Sequence, residues 1–119
     1  MSKVKLIFTT ATICAITVIL ALHYLEFNQK KKMTELIAED NLVAVIFYKD
    51  KNGTLPATLS EATKYGANEF DAWGQRFKYK KCDEFYFTVY SMGSNGLDDQ
   101  GDKDDVSASN KKTAICPEK

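Results

Sequence analysis

Residues 6–25 carry no formal charge at neutral pH, and Ile13, Ile16, Val18, Ile19, Leu20 and Leu22 leave no polar side. At 1.5 Å of rise per residue, roughly 20 residues reach about 30 Å, the thickness of a bilayer's hydrocarbon core. An amphipathic surface helix would keep a polar stripe. The pattern therefore predicts a membrane anchor, with Lys3 and Lys5 before it and Glu26 after it. A cleaved signal peptide is the competing reading, and it needs small residues after the apolar run. Here the run ends His23-Tyr24-Leu25-Glu26-Phe27, which is bulky. An uncleaved anchor is expected, with Tyr24 and Phe27 at interfacial aromatic positions.

Beyond the anchor the apolar pattern acquires a period. Met33, Leu36, Ile37, Val43, Ala44, Phe47 and Tyr48 recur at helical spacing, with Glu35, Glu39, Asp40 and Lys49 largely opposite. This predicts a helix over 30–51, continuous with the anchor, whose apolar stripe packs on a soluble core. Asn52-Gly53, with Pro56 soon after, is its stop signal. Residues 54–62 read as a turn and a short helix. Thr58 and Glu61 have capping-box spacing, Pro56 or Ala57 are alternative openers, and Gly66 is the end. Phe70-Asp71-Ala72-Trp73-Gly74 is a turn with two large aromatics. Residues 76–80 and 85–90 alternate with period two, and Cys82-Asp83-Glu84 joins them as a tight turn, so the pair predicts an antiparallel hairpin. Thr113-Ala114-Ile115-Cys116 is expected to add a last short strand.

The expected fold is α+β. A long N-terminal transmembrane helix continues into a small soluble domain with a short helix and a small antiparallel sheet. Residues 1–32 are anchor and residues 33–119 are domain. The aromatics are read as core, and Lys78, Lys80 and Lys81 as a solvated strand face.

Charge changes the picture locally. The chain has 16 basic and 16 acidic residues, so there is no global basic field and nucleic acid is not an expected partner. The charges are sorted, however. Lysines cluster at 30–32 and 78–81, and residues 91–106 hold five aspartates and three glycines. Five carboxylates this close repel one another unless a cation sits among them or water screens them. Glycines let such a loop fold back, and Ca²⁺ takes six to eight oxygen ligands. A Ca²⁺ loop and a solvated acidic loop both fit this composition. An EF-hand does not: it needs Gly at its sixth position and Glu at its twelfth. Counted from Asp98 the sixth residue is Lys103, counted from Asn95 it is Gln100, and the loop has no Glu.

Cys14 falls inside the span. Cys82 and Cys116 lie in the soluble part and can pair in only one way, which requires an oxidising compartment. Joined, they close a loop of roughly 35 residues, worth about 3–4 kcal/mol in the chain-entropy model. Two reduced thiols in a cytoplasmic domain are the alternative. The pairing is preferred because it ties down a segment that would otherwise fray. Lys3 and Lys5 argue for a cytoplasmic N-terminus, with Lys30, Lys31 and Lys32 pulling the other way. The sole histidine is His23, at the membrane edge. No Ser-His or Cys-His pair, zinc spacing or phosphate-loop pattern exists in the soluble part, so an enzyme is not expected.

Several of these pieces occur in one order. A long N-terminal helix is followed by Leu55-Pro56-Ala57-Thr58-Leu59, then Asp71-Ala72-Trp73-Gly74, then a hairpin. Ser91-Met92-Gly93-Ser94-Asn95-Gly96 and a closing Asp104-Asp105-Val106 complete the series. The combination resembles the G-type (major) pseudopilins of type II secretion, over about residues 55–106. Family members typically have Asp-Pro-Trp-Gly, Ser-x-Gly-x-Asp-Gly and Asp-Asp-Ile at these places. The resemblance implies a pilin-like fold, a bacterial inner-membrane location with the domain in the periplasm, and other pseudopilin or secretion-system subunits as partners. It also implies Ca²⁺ in the loop. By position its ligands would be the carbonyls of Met92 and Asp102 and the side chains of Asn95, Asp104 and Asp105, with Asp98 or Asp99 replacing or adding to one. Asn95 in place of Asp removes a charge and is expected to weaken binding. The N-terminus departs from the family. Phe8-Thr9 aligns with the mature start, but Ile7 stands where the prepilin-peptidase site has Gly, and Thr12 where the mature chain has Glu.

Overall fold

A computed structural model of the chain describes residues 2–98 and 105–109. The first helix, α1 (Ser2–Asn52), runs unbroken for 51 residues and gives the molecule its rod shape, 77 Å in longest extent. It is long and apolar enough to cross a membrane. Hydroxyls in a bilayer core need partners within the helix. Thr10 donates to the Leu6 carbonyl (2.9 Å), Thr12 to Phe8 (2.8 Å) and Thr17 to Ile13 (2.8 Å), and Thr9 donates to Lys5. The helix stops where the sequence says. Gly53 takes a left-handed φ of 82°, and its N–H donates to the Lys49 carbonyl at 2.7 Å.

The soluble half of α1 buries a different arc from the expected stripe. Thr34, Ala38, Asn41, Ala44 and Val45 are buried, and Ile37, Leu42 and Tyr48 are half-buried. Met33, Val43 and Phe47 stay 51–54 % exposed, and Leu36 is exposed too. Of the expected stripe, only Ile37, Ala44 and Tyr48 face the domain. The physical reason is that two members of the inner arc are polar. Thr34 and Asn41 bond to loop backbone, and Ala38 and Ala44 let the domain come close. A count of apolar residues cannot find such a face.

A 3-10 helix (Leu59–Tyr65) buries Leu59 and Ala62 against α1. The expected Thr58–Glu61 capping box does not form, because Glu61 reaches one residue past the cap. Thr58 makes no side-chain cap bond, while Glu61 Oε2 accepts the Ala57 N–H at 2.9 Å. Gly66, at φ 100°, ends the helix with its N–H on the Thr63 carbonyl.

The sheet has three antiparallel strands in the order β1 (Lys78–Lys81), β2 (Phe87–Ser91), β3 (Val106–Ser109). The hairpin is as expected, but Lys81 pairs with Phe87, so its loop covers residues 82–86. Asp83 Oδ1 accepts the N–H groups of Phe85 (2.7 Å) and Tyr86 (2.9 Å), which turns both aromatics outward. β2 is buried at all five positions because it is the central strand, so it is not a half-exposed one. Phe87 and Val89 meet Ala38, Ala44, Val45, Leu55, Leu59, Phe77 and Val106 in one core. The partner of β2 on its far side is Val106–Ser109, a strand that the acidic composition before it conceals. The strand expected at 113–116 lies outside the described residues.

Candidate functional site

The Asp71 turn and the loop after β2 are joined. Asp71 is buried, 6 % exposed. Its Oδ1 accepts the backbone N–H groups of Trp73 and Gln75, each at 2.9 Å. Its Oδ2 accepts the Ser91 hydroxyl at 2.6 Å, and Ser91 Oγ in turn accepts the Gly93 N–H at 3.0 Å. Gln75 Nε2 donates to the Gly93 carbonyl at 3.0 Å. One carboxylate thus shapes its own turn and fixes the start of the acidic loop. The turn is itself held to α1. Thr34 Oγ1 accepts the Ala72 N–H (3.1 Å), and Asn41 bonds both backbone groups of Asn68, at 2.6 and 2.9 Å.

Within the loop, Gly93 and Gly96 take φ values of 69° and 67°, a conformation that residues with a Cβ rarely adopt. Asn95 Oδ1 accepts the Leu97 N–H at 2.7 Å in an Asx turn. Tyr90 donates its phenol proton to Asp98 Oδ2 at 3.2 Å. The far end of the loop is fixed by the ladder. Ser91 pairs with Val106, so Met92 and Asp105 flank the last rung and face each other across the loop's mouth. Asp105 is half-buried, with its Oδ1 shielded from solvent, and lines a groove with Lys31, Glu35 and Glu39.

Three of the five expected metal ligands are therefore described. Met92 and Asp105 are brought to one mouth, and Asn95 sits exposed on the turn between Gly93 and Gly96. The Asn95 side chain offers an amide oxygen, a donor type that Ca²⁺ sites use. Asp102 and Asp104 lie outside the described residues, as does Asp99. Among the described residues, no three acidic, histidine or cysteine side chains converge as a metal would require. Of the expected disulfide pair, Cys82 is half-buried just after β1, and its N–H donates to the Tyr86 carbonyl at 2.8 Å. Cys116 lies outside the described residues.

Asp71 is legible in the sequence only as part of a turn motif, and Gln75, Thr34 and Asn41 carry no signal there. Asp71 in Asp71-Ala72-Trp73-Gly74 is an Asx-turn signal, but nothing local shows that its second oxygen holds Ser91, 20 residues on.

Burial pushes the Tyr90 phenol up to about 12; its hydrogen bond to Asp98 and the charges of Asp98 and Asp105 add to the rise. Burial also raises Tyr79, with Glu61 adding to it. Both phenols hold their protons more tightly in the folded chain than in the unfolded one. Their contribution is complete below about pH 10 and falls as pH rises from there through 12. Denaturant midpoints are expected to drop across that window, and Tyr90→Phe should flatten part of the drop.

Compared with protein-family models, with curated proteins and with solved structures, the chain has no match in any of the three.

Proposed function

We propose that this chain is a membrane-anchored structural subunit of the kind its motifs resemble, the type II secretion pseudopilins, with a Ca²⁺-stabilised loop and a role in protein secretion or fibre assembly. The observation that carries this reading is the joining of two motifs by one carboxylate. Asp71 of the Asp-x-Trp-Gly turn bonds Ser91 of the Ser-x-Gly-x-Asn-Gly loop, and the strand register sets Asp105 opposite Met92. Two of the motifs that carry the resemblance are thus bonded to each other, next to Met92 and Asp105. In this reading the N-terminus lies in the cytoplasm of a bacterial inner membrane, and the domain lies in the periplasm. There Cys82 and Cys116 can join. Ca²⁺, held by Met92, Asn95, Asp102, Asp104 and Asp105, would offset the repulsion of the carboxylates and pin both ends of the loop.

A second reading is a membrane-anchored Ca²⁺-binding interaction domain that does not polymerise. Thr12 favours it. Where the family has a glutamate, this chain has a hydroxyl that already donates to its own helix at Phe8 and brings no charge to a neighbouring subunit. Ile7 points the same way, since prepilin peptidases cut after glycine. The mass of the chain isolated from its own cells separates the two. A chain that begins at Phe8 supports the polymerising subunit. One that retains Met1 to Ile7 supports the single anchored domain.

A further inference from the structure

Trp73 is the chain's single tryptophan, and its place on α1 is specific. Its ring lies 6.3 Å from the ring of Phe27, centroid to centroid. Phe27 is two residues past the uncharged segment 6–25, so it sits only about 3 Å further along the axis. The turn that bears Trp73 cannot drift from this height. Ala72, the residue before it, is bonded to Thr34 on α1, and Asp71 Oδ1 holds the Trp73 N–H. Tyr24 lies one turn from Phe27 toward the apolar segment and is 66 % exposed; Phe27 itself is 38 % exposed. Just beyond Phe27 come Lys31 and Lys32, both exposed. The order along the rod is apolar segment, Tyr24, Phe27 with Trp73 upon it, then lysines. That is the order in which a bilayer presents hydrocarbon, carbonyl zone and headgroup phosphates. Tryptophan concentrates in the middle zone because its ring is apolar and its N–H needs a wet partner.

We propose that Trp73 is a membrane-interface anchor, donated by the soluble domain, that seats the domain's lower turn in the lipid headgroup region and fixes its orientation on the bilayer. The proposal rests on residues 6–25 spanning the membrane. Its partner is the lipid surface itself. One helix alone leaves the domain free to tilt and to rotate about the helix axis. A second contact beside the helix removes that freedom.

The single tryptophan makes the test direct. The full chain is reconstituted in vesicles of phosphatidylethanolamine and phosphatidylglycerol that carry quenchers either near the headgroup or near the chain terminus. Trp73 fluorescence is expected to be lost to the shallow quencher, much less to the deep one, and little to aqueous acrylamide. Two relocated tryptophans in a Trp73→Phe background set the scale. Ile16→Trp should be quenched by the deep label. Phe85→Trp, beside Lys49 at the other end of the domain, should respond to acrylamide alone. If Ile16→Trp responds to the deep label while Trp73 ignores both lipid quenchers, the anchor proposal is overturned and the span stands. If Trp73 is shielded from lipid and water quenchers alike, protein covers it and the proposal is again overturned. If Ile16→Trp escapes the deep label, the span reading fails and takes the anchor with it.

Discussion

Asp71→Ala is expected to lower the melting temperature of the soluble domain by ten degrees or more, the largest loss from any single side chain outside the apolar core. The carboxylate accepts three hydrogen bonds, from Trp73 N–H, Gln75 N–H and Ser91 Oγ. Alanine removes both acceptor oxygens, and with them all three bonds, and strands two backbone donors in half-buried positions. A hydrogen bond to a charged group contributes about 1.5–3 kcal/mol, and an unmet buried donor costs about 1–3 kcal/mol. These values overlap and water reaches part of the turn, so a net loss of about 3 kcal/mol is expected. In a domain of roughly 85 residues each kcal/mol shifts the melting point by about 4–8 °C. Asp71→Asn keeps Oδ1 for the two N–H groups and can offer an N–H to Ser91, so it should lose about 1 kcal/mol. Ser91→Ala should fall between. Because Asp71 and Ser91 share a bond, their double variant should lose less than the two single losses added. Melting of Asp71→Ala within two or three degrees of the parent would show that the turn stands without its carboxylate.

The long helix, its stop at Gly53 and the hairpin were legible because each follows from local rules: unbroken apolarity, a left-handed glycine, and period-two alternation. The inner face of the soluble helix was not. The residues that dock it are Thr34 and Asn41, and their value lies in backbone groups of Ala72 and Asn68, far along the chain. The same applies to Asp71, whose partner Ser91 is set by the sheet. Val106–Ser109 was hidden for a different reason. Four short residues after a run of aspartates have no strong β pattern, and they become a strand because β2 offers them a free edge. The acidic loop was legible as composition, and Met92 and Asp105 were named as ligands. That the two meet at one mouth comes only from the pairing of Ser91 with Val106.

Chelation of Ca²⁺ is expected to destabilise the domain by about as much as the loss of Asp71, through the other half of the same unit. Asp71 fixes the entry to the loop, and β3 fixes its exit at Asp105. Between them the loop must bend with five carboxylates in 16 residues, 91–106. A bound Ca²⁺ turns that repulsion into attraction. It acts only on the folded chain, because the unfolded chain cannot bring Met92 and Asp105 together. At 100 times its dissociation constant a ligand of this kind stabilises by about 2.7 kcal/mol, which raises the melting temperature by ten degrees or more. The measurement is the melting of residues 33–119, oxidised, in excess Ca²⁺ and then in chelator, with Mg²⁺ as the control for simple screening. Asp104→Ala with Asp105→Ala should reproduce the chelated value in either buffer, and Asn95→Asp should tighten binding by restoring a ligand charge. Tyr90 supplies a second readout that is independent of stability. Its phenol is raised in part by the charges of Asp98 and Asp105, and a cation on Asp105 cancels some of that charge. Tyr90 should therefore titrate lower with Ca²⁺ than without it. Equal melting in Ca²⁺ and chelator, with an unmoved Tyr90, would leave a solvated acidic loop held at its two ends by Asp71 and β3 alone.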